Sequence, residues 1–143
     1  MNSKIFVDSD IILDLLAERE EFYDDAAKIF TLAYEKKLEL YTTAVVLANV
    51  FYILRKVKGN NEAKRKIKEL RLLIRILPIN EKTVDTVLNS NFADFEDGLQ
   101  YFTSKEHNIP TIITRNTEDY KTNDENMLIQ TSKEFIREFY YSI

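Results

Sequence analysis

The sequence contains no cysteine and no tryptophan, and only one histidine, two glycines and two prolines among its 143 residues. Without cysteine there is no disulfide framework and no thiolate metal site. The start, MNSKIFVDSD, lacks the long apolar stretch of a signal peptide. No apolar run approaches the roughly 20 residues of a membrane span, so a cytoplasmic protein without membrane association is expected. No repeat, low-complexity tract or linker interrupts the chain, and residues 1–143 are expected to form one domain.

What is present is a strong core composition, 45% apolar with 12% aromatics, which argues against disorder. The net charge of −4 hides a segregation. Between Arg55 and Arg75 stand nine Lys/Arg against Glu62 and Glu69, a local net of +7, so the remaining residues carry −11. A basic helix on an acidic chain can steer a polyanion towards a site that is itself acidic. The ordinary alternative is a well-solvated lysine face.

Short apolar runs alternate with helical periodicities. Lys4–Val7, Leu38–Tyr41, Thr111–Ile113 and Met127–Ile129 read as buried strands. Helices are expected over Ile11–Leu16, over Phe22–Ala33, over Ala44–Leu54 as an element apolar all round and hence buried, and over Glu62–Ile74 as a basic amphipathic one. Further helices are expected over Glu81–Asn89 with Val84, Val87 and Leu88 inward, over Asp94–Glu106, and at the C-terminus around Phe135, Ile136, Phe139 and Tyr140. This alternation argues a parallel sheet covered on both faces.

In such sheets ligands collect beyond the carboxyl ends of the strands. Asp8 and Asp10 follow the first strand, and Asp119 follows Ile112-Ile113-Thr114. Asp94 and Asp97 stand three apart on one side of a helix start. Each has an ordinary role: Asp8 or Asp94 as an N-cap, Asp97 complementing the helix dipole, Asp119 as a loop residue. Together they describe carboxylates that would repel unless a cation neutralised them, and a hard divalent ion suits an all-oxygen site. Asn49, alone among the apolar residues of Ala44–Leu54, either points at that site to hold a carboxylate or water, or is a buried asparagine bonded to backbone.

FVDSDIILDLL, TTAVVLANVFYILRK, DFEDGLQY and IPTIITRNTEDY resemble, in order and spacing, the PIN-domain family, within it the VapC-type toxins of bacterial toxin–antitoxin pairs. The resemblance covers essentially the whole chain. It implies a three-layer α/β/α sandwich with a central parallel sheet of four to five short strands, and Mg²⁺- or Mn²⁺-dependent endoribonuclease activity. It also implies an RNA substrate, a cognate antitoxin and a homodimer. Asp8, Asp97 and Asp119 match the metal-binding acids, with Asp94 one turn before Asp97 as a further catalytic acid. Thr114 and Asn116 match polar groups lining the same cavity, and Glu96 and Asp10 are placed among the supporting residues. The usual glutamate of the mid-chain helix is replaced by Asn49, and Asp10 stands where the family often has asparagine.

On this reading the metal lowers the pKa of a water that attacks the phosphate in line, and no side-chain nucleophile is needed. Lys64, Lys68 and Arg71 would contact the RNA backbone without reading sequence, with Arg115 nearer the metal. His107 is expected at a helix end with no catalytic part. Aromatic residues of the C-terminal helix (Phe139, Tyr140, Tyr141, with Ile143) serve either the core or a protein contact. Two alternatives stand beside this one. Asn49 motivates a catalytically weakened PIN fold that binds RNA or protein. Asp-x-Asp after an apolar strand is also how haloacid-dehalogenase-like phosphatases begin, although those continue with Gly-Thr where this chain has Ile11-Ile12.

Overall fold

The chain opens with β1 (Ser3–Val7), whose Ile5, Phe6 and Val7 are all buried. A continuous apolar run of this kind suits a parallel strand covered on both faces. There follow α1 (Ser9–Leu16), α2 (Tyr23–Tyr34), β2 (Leu38–Thr43), α3 (Ala44–Lys58), α4 (Asn60–Leu70) and β3 (Ile74–Leu77). The second half contributes α5 (Glu81–Leu88), α6 (Phe95–Glu106), β4 (Thr111–Ile113), a 3₁₀ turn (Thr117–Tyr120), β5 (Leu128–Gln130) and α7 (Ser132–Tyr141). These are the elements of a computed structural model that describes residues 2–120 and 124–141.

The five strands form one sheet in the order β3-β2-β1-β4-β5, with every pairing parallel. The chain starts in the centre, steps outward through β2 to β3, then crosses back to β4 and β5. Right-handed crossovers put α1–α4 on one face and α5–α6 on the other, the expected α/β/α sandwich. The reversal lies between β1 and β4, and a crevice outside the carboxyl ends of those strands is where such folds bind ligands. Two backbone bonds carry the ladder beyond the strand ends there. The Asp8 amide donates to the Ile113 carbonyl at 3.0 Å, and the Thr114 amide to the Gln130 carbonyl at 2.9 Å.

Several sequence expectations need correction. The fifth strand, β3, was expected to be the end of a basic helix reaching Ile74. Instead that helix stops at Leu70, and Ile74 pairs with Leu40 at the sheet edge. A short apolar run fits either period, and here edge pairing decides. α3 is not buried all round: Val46, Val50 and Leu54 face inward, whereas Tyr52, Ile53 and Val57 are exposed. It packs on α1 and α4, which leaves its remaining side open. In α5, Leu88 is 67% exposed, while Thr83, bonded to Glu106, is buried. Of the C-terminal residues, Phe135 and Ile136 are core, Tyr140 and Tyr141 are exposed, and Ile143 lies outside the described residues. No described helix is long and apolar enough to cross a membrane.

Candidate active site

Asp8 caps α1, accepting the Ser9 amide on Oδ1 at 2.7 Å. Its other oxygen receives the Thr114 hydroxyl at 2.9 Å and the Tyr120 hydroxyl at 3.1 Å. The carboxyl is 6% exposed. Burial, and then the charge of Asp10, push its pKa from 3.8 up to about 6, with the three donors opposing the rise. The strand end at the crevice thus also begins a helix, and Asp8 serves as its cap.

Asp94 caps α6, accepting the Asp97 amide at 3.0 Å. Asp97, in the first turn of that helix, is pushed up to about 7, first by burial and then by the negative charges of Asp94, Asp8 and Asp119. The nearby Tyr120 hydroxyl opposes the rise. Asp97 is thus close enough to acids from two other stretches, Asp8 and Asp119, to feel their charge. Asp119 sits on the 3₁₀ turn, and with Asp94 and Asp97 it lines a cavity of about 660 Å³. Glu118 and Asp124 lie along the same cavity.

The donor set is carboxylate oxygen throughout, the chemistry of a hard divalent cation. Among the described residues no group of three or more acidic or histidine side chains is arranged to hold a metal ion by itself. That is compatible with Mg²⁺, which usually keeps several waters and takes one or two carboxylates rather than an all-protein shell.

The supporting residues divide. Asp10 accepts the Arg115 amide at 3.0 Å and the Thr114 hydroxyl at 3.3 Å, and its second oxygen is buried with no partner. Burial raises its pKa. Asn49 is half-buried and donates to Glu96 Oε2 at 2.7 Å, so it holds a carboxylate rather than backbone. Asn116, expected in the acid cavity, instead lines a separate one with Asp14, Phe22, Arg115 and Ser132. Its amide bonds Thr114 Oγ1 at 3.2 Å.

The basic residues divide too. Arg115 turns away from the acids: its Nε stands 3.3 Å from Asp14 and its guanidinium 4.2 Å from the centre of the Phe22 ring. Asp14 is buried, which raises its pKa, and this cation together with Arg19 opposes the rise. Arg71 donates to the Ile74 carbonyl and lines a cavity with Asn2 and Leu38, beside the amino ends of the strands and opposite the acids. Lys64 and Lys68 are exposed on α4, beside an apolar groove against α3. His107 caps α6, its ring bonded to the Thr103 carbonyl at 2.9 Å.

The PIN domain model matches residues 4–118 of this sequence. The chain belongs to the PIN-domain family. The match includes Asp8-Ser9-Asp10, the residues on which the phosphatase alternative rested. The chain is 28% identical over 141 residues to ribonuclease VapC1 of Aquifex aeolicus, covering 94% of this chain and 95% of that one. In structure it is similar to VapC20 of Mycobacterium tuberculosis, a toxin that cleaves the sarcin-ricin loop, with a TM-score of 0.60 and 15% identity. That likeness covers 76% of this chain and 86% of VapC20. It is also similar to a chain of the VapBC2 complex of Rickettsia felis, solved on a promoter DNA fragment, with a TM-score of 0.64 and 17% identity. There the coverage is 90% of this chain and 98% of the other.

Two residues of this PIN site escaped sequence reasoning. Tyr120, fully buried, reaches Asp8 Oδ2 at 3.1 Å and Gln100 Oε1 at 2.6 Å. Gln100 is itself buried, one turn beyond Asp97 on α6. A phenol has one proton to give, so it cannot donate to both acceptors at once. Its own ionisation is strongly disfavoured, by burial first and then by Asp8 and Asp97. The one available signal was the Asp119-Tyr120 adjacency, which placed a hydroxyl beside a candidate acid.

Proposed function

We propose that this chain is a metal-dependent endoribonuclease of the VapC kind, hydrolysing RNA phosphodiester bonds with Asp8, Asp97 and Asp119 around an Mg²⁺ or Mn²⁺ ion. The observation that carries it is geometric: Asp94, Asp97 and Asp119 line one cavity, and Asp8 stands at the end of the adjoining strand, bonded to Tyr120 next to Asp119. A bound divalent ion would stabilise charge on the phosphate and acidify water. The protein's own contribution is to hold the acids in place. The Ser9 amide donates to Asp8, and the Thr114 and Tyr120 hydroxyls lie within hydrogen-bond distance of its other oxygen, which fixes its orientation. Asp94 anchors the first turn of α6, and with it Asp97. Asn49 steadies Glu96 beside them. Burial of these groups strengthens every interaction a developing negative charge would meet.

The reading takes residues 1–143 as one unit, supported by a single sheet and a continuous core. It places the protein in the cytoplasm with a cognate antitoxin and a second copy of itself as partners. Exposed Tyr140 and Tyr141 on α7, and the apolar groove of Leu47, Phe51, Ile67 and Ile76, support protein partners.

The test incubates the purified chain with pooled single-stranded RNA in Mg²⁺, in Mn²⁺ and in EDTA, with cut ends mapped by sequencing. Cleavage that requires the metal and is lost in Asp97→Asn and Asp8→Asn is expected. Cleavage of equal rate in parent and both variants would remove the hydrolase reading. Metal and RNA binding without cleavage would instead favour the weakened binding module that Asn49 motivates.

A further inference from the structure

The cavity that holds Asp94, Asp97 and Asp119 has a second kind of wall. Phe92 and Phe102, both half-buried, line the same space together with the ring of Tyr101. The Phe92 ring centre lies 5.0 Å from Tyr101 and 5.8 Å from Phe102, and Tyr101 and Phe102 are 5.1 Å apart. Along α6, Asp97, Tyr101 and Lys105 follow at four-residue intervals, so one stripe of the helix passes from acid to aromatic to cation over about 12 Å. All three line the cavity. Phe92 and Phe102 pack against the core, to which Tyr101 belongs, on one flank and line the cavity beside the acids on the other.

Single-stranded RNA is bound by stacking its splayed bases on aromatic side chains, and this stacking tolerates any base because each has a flat π face. Resting on the ribonuclease reading above, we infer that Phe92 and Phe102 form a nucleobase-stacking subsite. A phosphate meets the acids while a neighbouring base of the same strand packs against these two rings. The site reads the presence of a flat base rather than its identity. Specificity for one nucleotide must then be supplied elsewhere.

The test uses the RNA whose cut has been mapped, remade with a single abasic nucleotide at each position from three before to three after the cleaved bond. Steady-state kinetics on the full chain should find one position where base removal raises KM by about 5- to 100-fold, the range set by one stacked base. Phe102→Leu keeps an apolar side chain but removes the ring. On intact RNA it should raise KM by a similar factor, with kcat much less affected. On the sensitive abasic substrate the two losses should not multiply, because both remove the same contact. The inference is overturned if no position is sensitive, or if the Phe102→Leu and abasic losses multiply. Should Phe102→Leu unfold, Asp97→Asn, which keeps both rings, still decides: a 2-aminopurine at the sensitive position must lose fluorescence on binding to it. An unchanged signal assigns the rings to packing alone. Metal-dependent cleavage with none of these effects would sink the subsite and leave the nuclease reading standing.

Discussion

Removing a charge from the acid cluster should make the metal-free protein more stable. Asp97 ordinarily titrates at 3.8 and is held at about 7 in the fold. Below pH 4 the residue is protonated whether the chain is folded or not, and it costs nothing. As pH rises, the unfolded chain ionises freely while the folded one resists, so stability declines until about pH 7 and then levels off. Full expression of that difference would be worth roughly 4 kcal/mol. The side chain is only partly buried and solvent screens it, so about 1–2 kcal/mol is the expected size. Asp97→Asn keeps the shape and cannot ionise. In EDTA its advantage over the parent should grow from near zero at pH 4 to about 1–2 kcal/mol at pH 8, a rise in Tm of about 3–7 °C for a chain of this size. Excess Mg²⁺ should reverse the order, because only the parent gains the full binding energy. Urea or thermal unfolding followed by circular dichroism reads all of this. A variant that is no more stable than the parent at pH 8 in EDTA, or whose advantage does not vary with pH, would mean that these carboxylates do not converge.

Further outcomes follow from the same geometry. Mg²⁺ must displace protons from Asp8 and Asp97, raised to about 6 and about 7, so affinity should climb between pH 6 and 8. Calorimetry in two buffers of different ionisation enthalpy would register the released protons, and a pH-independent affinity would contradict it. Gly98→Ala would bring a methyl group to 2.6 Å from Val87 Cγ1 and 3.2 Å from Phe92 Cβ, between α5 and α6. After the gain in helix propensity a net loss of about 1–2 kcal/mol is expected in urea melts. Arg115→Ala leaves Asp14, 1% exposed, with Arg19 alone; chemical denaturation should find about 2–3 kcal/mol lost. Arg71→Ala, on the far side from the acids, should leave the KM for RNA unchanged. A rise there would bring the amino-terminal edge of the sheet into the substrate path.

The parts of this molecule legible in the sequence are those with a local cause. Ile5-Phe6-Val7 ending at Asp8 is a buried strand and a cap at once, and both facts can be read from four residues. Asp94 and Asp97 sit on one side of a helix by spacing alone. β3 was not legible, because Ile74-Arg75-Ile76-Leu77 suits helix and strand equally and is settled by pairing with Leu40–Thr43, over thirty residues away. The direction of Arg115 was hidden for a similar reason. Its partner, Asp14, lies on α1, and the need to compensate that buried charge outweighs any pull towards the acids. Tyr120 and Gln100 were invisible because a hydrogen bond spanning 112 residues to Asp8 leaves no mark on local pattern.

The ladder bonds of Asp8 to Ile113 and of Thr114 to Gln130 have a consequence for timing. The first acid emerges at the very beginning of synthesis, yet the rungs that fix it, and the hydroxyls that orient it, belong to segments more than a hundred residues later. A half-made chain therefore carries Asp8 without the means to aim it. The surroundings that orient Asp8 are complete only once those late segments have joined the sheet.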